Sequence, residues 1–284
     1  MINNMSTTSI SLIASNITQR GPGKVYQNLL LGLSNMPDYV VSTNHVNADY
    51  FGYLQDIGIA DRLDSSKTLF GPNLFVLPSD NPALCRRINK MVVPSKWVLD
   101  LYRNFHEVDH CKINVWSVGI DTKDWRPTTT PASKDLDCFV YFKNRDKQEL
   151  QLVVEELDRM KLKYEIISYG SYQESDLYNM CNRAKFAVLL TGTESQGIAY
   201  MQILSMNVPC YVLNVNEYKC EGRDLVVEAS SVPYFTSECG ICSLDFKLLP
   251  EFIYLLDSYK PRQYIDKEHG ILPSAKKYIE LLKK

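Results

Sequence analysis

A carboxylate stands in the middle of the stretch Leu190-Thr191-Gly192-Thr193-Glu194-Ser195-Gln196-Gly197-Ile198-Ala199-Tyr200-Met201-Gln202. An apolar run ends at Leu190, Glu194, Ser195 and Gln196 fill a turn, and Gly197 opens a helix-forming segment. The first N–H groups of a helix lack internal acceptors and lie at the positive end of its dipole, so the amides of Gly197 and Ile198 would suit a phosphate or a sugar hydroxyl. Gln202 follows Glu194 by eight residues, about two helical turns. The same pattern also describes an ordinary helix start with Glu194 as its dipole partner.

Two further loops carry suitable residue types. Lys143-Asn144-Arg145-Asp146-Lys147 follows the apolar run Cys138–Phe142 and clusters cations at a strand end. Arg grips phosphate oxygens through a fork of N–H groups and Lys acts as a point charge, although a solvated charged loop has the same composition. Near the start, Gly21-Pro22-Gly23 ends a loop that begins at Ser15 and precedes a helical pattern. Glycines there let backbone approach an anion, but the loop matches neither GxGxxG nor a Walker sequence. Asp135-Leu136-Asp137 is a DxD pair that precedes a strand instead of following one, which disfavours a metal role. His106 and His110 lie where a helix should already be ending, and neither HExxH nor GxSxG occurs. Cys239 and Cys242 have CxxC spacing without a second pair, so structural thiols are the expectation and no metal is assigned.

The elements that would position these loops alternate strand and helix. Strands are expected at Ser9–Ala14, Tyr39–Ser42, Leu74–Leu77, Met91–Val93 and Ile113–Ser117, with helices at Lys24–Ser34, Ala48–Ile57 and Lys96–Asn104. A polar, proline-bearing stretch from Trp125 to Ser133 reads as a linker. The alternation restarts with strands Cys138–Phe142, Tyr164–Ser168, Phe186–Leu190 and Cys210–Leu213. They are separated by helices Lys147–Met160, Ser175–Arg183 and Gly197–Met206, and Ser274–Leu282 is a last helix. This is an α/β chain with parallel sheets: two Rossmann-like domains, residues 1–127 and 128–284, facing each other across a cleft. The last helix is a candidate to pack back on the first domain.

Composition narrows the function classes. Net charge is −2 in 284 residues, so no overall basic bias points to nucleic acid. Apolar runs such as Phe186–Leu190 are far too short to span a bilayer, and the start reads as a first strand instead of a leader. Eight cysteines in a chain this long do not make a disulfide scaffold, and reduced thiols fit a cytoplasmic protein.

Several segments, in order, resemble glycosyltransferase family 4 and its GT-B relatives. GTESQGIAYMQILSMNVPCYV (192–212) is similar to the stretch around that family's E-x7-E motif. VVPSKWVLDLYRN (92–104) followed by INVWSVGIDTKDWRP (113–127) resembles its exit from the first domain. GPGKVYQNLLLGL (21–33) resembles its first Gly-rich loop; SSVPYF (230–235) and SAKKYIELL (274–282) are fainter echoes. The resemblance implies a nucleotide-sugar donor on the second domain, transfer with retention, and neither a cofactor nor an obligatory metal. Glu194 would bind hydroxyls of the moving sugar, with Ser195, Gln196, Gly197 and Ile198 beside it. Lys143 and Arg145 would neutralise the diphosphate, and Gly21, Pro22 and Gly23 would approach from the first domain. Gln202 takes the place of the second Glu, which in the family contacts ribose. The stretch PNLFVLPSDNPALC (72–85) carries Ser79, Asp80 and Asn81 where relatives often have a histidine.

The expected activity is therefore sugar transfer to an acceptor that is a glycan, a lipid-linked sugar, a protein or a modified nucleic acid. The amide at position 202 and the compact first half motivate a second reading, an inactive sugar-nucleotide-binding or assembly partner of another transferase. A third is a phage-type transferase acting on modified DNA bases, against which the absence of basic bias argues.

Overall fold

The computed structural model describes residues 7–15 and 20–284. Contacts divide the chain into two compact units, Met1–Gly119 with His269–Lys284, and Ile120–Glu268. The division falls at Gly119, whereas the sequence reading ends the first domain at residue 127.

The first unit runs β1 (Thr8–Ile13), α1 (Arg20–Ser34), β2 (Tyr39–Thr43), β3 (Tyr50–Tyr53), β4 (Thr68–Phe70), α2 (Pro82–Cys85), β5 (Lys90–Val93), α3 (Lys96–Tyr102) and β6 (Lys112–Val115). Among the described residues its strands pair in parallel in the order β2-β1-β3-β4-β5-β6.

Two expectations fail in this unit. Ala48–Ile57 is not a helix, since Tyr50–Tyr53 forms β3 and pairs with β1 from Ile10↔Tyr50 to Ile13↔Tyr53. Aromatic residues favour the pleated surface. Asp49 also fixes the entry: its carboxylate accepts from the Ser9 N–H at 2.8 Å and from the Ser9 hydroxyl at 2.7 Å. Leu74–Leu77 is not a strand, and the sheet position expected of it belongs to Thr68–Phe70, between β3 and β5.

The second unit runs β7 (Leu136–Lys143), α4 (Lys147–Arg159), β8 (Tyr164–Ser168), α5 (Glu174–Arg183), β9 (Ala184–Thr191), α6 (Ile198–Ser205), β10 (Cys210–Leu213), the hairpin β11 (Glu217–Lys219) and β12 (Val226–Glu228), β13 (Gly240–Ser243), α7 (Leu249–Tyr254) and α8 (Pro261–Tyr264). Its parallel strands take the order β13-β10-β9-β7-β8. Read from the other edge, both sheets place the second strand outside the first and the third on its other side, the doubly wound 2-1-3-4-5 arrangement.

Strands buried on both faces account for the long apolar runs of the second unit. Cys138, Val140, Phe186, Val188, Leu190 and Tyr211 face a core closed by Val153 and Leu157 of α4 and by Leu249 and Phe252 of α7. Helix α6 is buried from Tyr200 through Ser205, which explains why its sequence is apolar around most of its circumference.

The chain then returns to the first unit as α9 (Ile271–Lys283), which packs along α1 and against β3. The close approach of α1 and α9 depends on Gly32, where a Cβ would lie 2.7 Å from that of Ala275. Trp116 Nε1 donates to the Ser274 carbonyl at 3.0 Å, and the Ser274 hydroxyl donates to the Ser117 carbonyl at 2.7 Å, so the returning helix is fixed by polar bonds as well as packing. Among the described residues no helix is long and apolar enough to cross a membrane.

Candidate functional site

In a doubly wound sheet, ligands bind beyond the carboxyl ends of the strands where the strand order reverses. In the second unit that point lies between β7 and β9, whose last residues Lys143 and Thr191 are register partners. Two of the three loops singled out by their residue types begin there.

The loops are held against each other by backbone. The Gly192 N–H donates to the Lys143 carbonyl at 2.9 Å, extending the ladder one residue past the strands. A Cβ on Gly192 would come within 2.8 Å of the Asn144 carbonyl oxygen, so only glycine permits this approach. Asn144 has φ of 53°, a left-handed conformation that asparagine tolerates better than most residues.

Lys143 and Glu194 meet across this junction, with Nζ 2.6 Å from Oε1 and both side chains mostly buried. The Lys143 ammonium also lies over the Tyr169 ring, 4.5 Å from its centroid. Burial pushes the Glu194 carboxyl above its ordinary range, and Lys143 pulls it back in part. The Glu194 N–H donates to the Ser230 carbonyl at 3.0 Å, and the Ser231 hydroxyl donates to the Thr191 carbonyl at 2.7 Å. The 230–231 segment, visible in the sequence only as a faint echo, thus buttresses the Glu194 loop.

Arg145 is engaged differently from Lys143. Its Nε donates to Glu149 Oε2 at 2.8 Å and its Nη2 to Glu149 Oε1, while Nη1 donates to the carbonyls of Thr191 at 3.2 Å and Leu213 at 3.0 Å. The guanidinium therefore clamps the ends of β9 and β10 to the first turn of α4. The bidentate pair holds the Glu149 carboxyl below its usual range.

Helix α6 starts at the same end of the sheet. Gly197 has φ of 70°, and a Cβ there would fall 1.9 Å from a ring carbon of Tyr200. The Met201 N–H is the one that donates to the Gly197 carbonyl, at 3.1 Å, which puts Ile198, Ala199 and Tyr200 in the first turn, where helix geometry supplies no acceptor. Ser195 is exposed and Gln196 buried in the turn before it. Gln202, 5% exposed, donates from Nε2 to Glu174 Oε1 at 3.2 Å. Lys143, Arg145, Glu194, Gly197, Ile198 and Gln202 thus belong to one end of one sheet.

Gly21, Pro22 and Gly23 do not form a loop ahead of a helix. The helix begins at Arg20, so they make up its first turn, where proline is tolerated because its missing N–H would have no helical partner. Residues 16–19 of that loop lie outside the described residues. Asp135 and Asp137 sit at the opposite end of β7 and pair with Arg183 and Lys185. Cys239 is buried in the turn just before β13 and Cys242 is exposed within that strand. Sequence reasoning did not reach Tyr169 or Glu174, and it touched Ser231 only through the faint echo at 230–235. Tyr169 and Glu174 follow β8, and only the order of strands in the sheet brings that loop beside β7.

No protein-family model matches the chain, and no curated protein sequence matches it. Solved structures do. AviGT4, a glycosyltransferase involved in avilamycin A biosynthesis, is 13% identical over 97% of both chains with a TM-score of 0.58. A glycosyltransferase from Rickettsia africae is 12% identical over 98% of both chains with a TM-score of 0.56. The GtfA/B complex aligns with 91% of this chain and 59% of its own at 12% identity, with a TM-score of 0.51. At such identities the likeness is one of fold, and the fold is GT-B.

Proposed function

We propose that this protein is a glycosyltransferase that binds a nucleotide-sugar at the switch point of its second unit and passes the sugar to an acceptor hydroxyl. The observation that carries the reading is the Lys143–Glu194 pair: a cation and a carboxylate, both mostly buried, at the end of β7 and in the turn ahead of α6. A nucleotide-sugar presents both complements, a diphosphate for the cation and hydroxyls for the carboxylate.

In this reading Glu194 accepts hydrogen bonds from the sugar, and Lys143 swings from Glu194 to the diphosphate as the donor enters. The amides of Gly197 and Ile198, at the start of α6, receive phosphate oxygens, with Ser195 and Gln196 shaping the turn, and Gln202 faces the ribose. Arg145 contributes by fixing the loop and adds its charge to the field around the phosphates. The bond between the anomeric carbon and the diphosphate breaks, a bond to the acceptor oxygen forms, and the acceptor proton leaves with the diphosphate. Preorganised positive charge stabilises the departing anion. Retention of configuration and independence from metal are parts of this proposal. The acceptor is a glycan, a lipid-linked sugar, a protein or a modified nucleic acid.

A donor-binding protein without turnover is the second reading, favoured by the amide at 202 and by the engagement of Arg145 with Glu149. Release of nucleoside diphosphate from UDP-, GDP-, ADP- or CMP-sugars separates the two. Turnover with one donor, lowered at least tenfold in Lys143→Ala, supports the transferase. Saturable donor binding with no release, in the presence of acceptor extracts, supports the second reading.

A further inference from the structure

The net charge of −2 hides a division between the two units. The first holds 14 lysines and arginines against 10 aspartates and glutamates, and the second 17 against 23. A charge split of this kind within one chain points to a surface that meets a polyanion. In the second unit, exposed cations such as Arg159, Arg183, Lys185 and Lys247 each stand beside a carboxylate. In the first unit, a group of cations without such partners lies at the amino ends of the strands.

Lys90 opens β5 and Lys112 opens β6, and the two are register partners on neighbouring strands. Like charges so paired cost stability. Burial and the neighbouring Lys112 hold the Lys90 ammonium below the ordinary lysine range. Lys90 has a structural use, since its ammonium donates to the Leu282 carbonyl near the end of α9. Lys112 has none. Its side chain, like those of the exposed Arg86 and Arg87 in the turn that leads to β5, makes no hydrogen bond or ion pair among the described residues. Helix α9 adds Lys283, whose ammonium rests on Tyr39 at the start of β2. Of the carboxylates in this unit, Asp49 and Asp64 bond to serines and stand near Lys67 instead. Asp109, in the turn ahead of β6, bonds to none of these cations.

We infer that the amino end of the first unit's sheet is a docking surface for an anionic lipid membrane. Arg86, Arg87, Lys90, Lys112 and Lys283 all belong to that one end, which presents a broad face to a broad partner. The helix among them, α9, is packed against α1 and β3, so it is not free to enter a duplex groove. Neither residues 86–90 nor residues 110–112 expose a large apolar side chain, and a protein interface centres on such residues. Cations without an apolar centre suit adhesion to headgroup phosphates, each one near the surface adding about fivefold to binding. The face lies at the other end of the sheet from the loops where a doubly wound fold takes its ligands. It also belongs to the unit that lacks Lys143 and Glu194, so the inference does not rest on the donor site.

The test is cosedimentation of the full chain with vesicles of phosphatidylcholine alone and of phosphatidylcholine with about one-third phosphatidylglycerol. The wild type is expected to sediment with the anionic vesicles and not with the neutral ones, and to be released as salt is raised. Arg86→Gln/Arg87→Gln should weaken that binding by about tenfold or more, and Lys112→Gln by about fivefold. These side chains are exposed, so the unfolding midpoint should stay in place and exclude misfolding as the cause. Arg86→Lys/Arg87→Lys keeps the charge and should keep the binding. Lys247→Gln removes an exposed cation of the second unit and should bind as the wild type does. Equal sedimentation with both kinds of vesicle, or none with either, overturns the inference. So does anionic binding that the Arg86, Arg87 and Lys112 variants leave unchanged. Retention on duplex DNA or polyglutamate without any on the vesicles assigns the face to another polyanion and overturns it as well. None of these outcomes touches the donor site, which binding of nucleotide-sugars measures separately.

Discussion

A buried carboxylate beside a cation titrates in a way that an exposed one does not. Desolvation raises the Glu194 carboxyl and Lys143 opposes that rise. As pH falls, Glu194 therefore takes up its proton at a higher pH than an ordinary glutamate, and its power to accept from sugar hydroxyls fades there. Removing the cation removes the opposing effect. Lys143→Ala is expected to move the acid limb of donor binding to higher pH, measured as affinity against pH; an unmoved limb would mean that Glu194 does not govern it. Gly197→Ala tests the turn before α6. The left-handed backbone costs about 1–2 kcal/mol for a residue with a Cβ, and the contact with Tyr200 adds to it. Chemical denaturation should show a loss of at least that size. Lys143, Glu194, Gly197 and Gln202 stand out in the sequence because each lies at or shortly after the end of an apolar run. The partner of Gln202 does not, because residues 174 and 202 meet only through the order of strands in the sheet.

Elements were legible where period and punctuation agree. In the second unit the helices that became α4, α5 and α6 and the strands β7 to β10 fall within a few residues of their expected bounds, since strands buried on both faces read as unbroken apolar runs. In the first unit the segment Ala48–Ile57 misled, because Tyr50, Phe51, Tyr53, Leu54 and Ile57 suit either period and length alone favours a helix. Gly52 was the overlooked signal. A Cβ there would lie 2.5 Å from the Tyr278 hydroxyl and 2.8 Å from Leu12 Cδ2, so the glycine marks where α9 presses on the sheet. Gly52→Ala should destabilise the protein by about 1–3 kcal/mol, the usual cost of overpacking, with a lowered unfolding midpoint as the readout. An unchanged midpoint would show that α9 does not press on β3 as described. The short strands β4 and β13 and the hairpin of β11 and β12 escaped because three or four residues carry too little periodicity to be read.

At the scale of the molecule, two units share one strand order, and the chain finishes by returning α9 to the unit in which it began. The fold is that of GT-B glycosyltransferases at 12–13% identity, so the fold is retained where little of the sequence is. Fold does not fix function. What gives this chain a specific reading is the placement of Lys143 and Glu194 at the switch point of one sheet. The most direct test is a thermal-shift series of the purified protein with UDP-, GDP-, ADP- and CMP-sugars, with Glu194→Ala measured in parallel. A ligand bound only by the native state raises the midpoint by mass action. The account predicts a clear rise with one donor, much reduced in Glu194→Ala. No rise with any of them at millimolar concentration, or an equal rise in the variant, would contradict a donor site at Glu194.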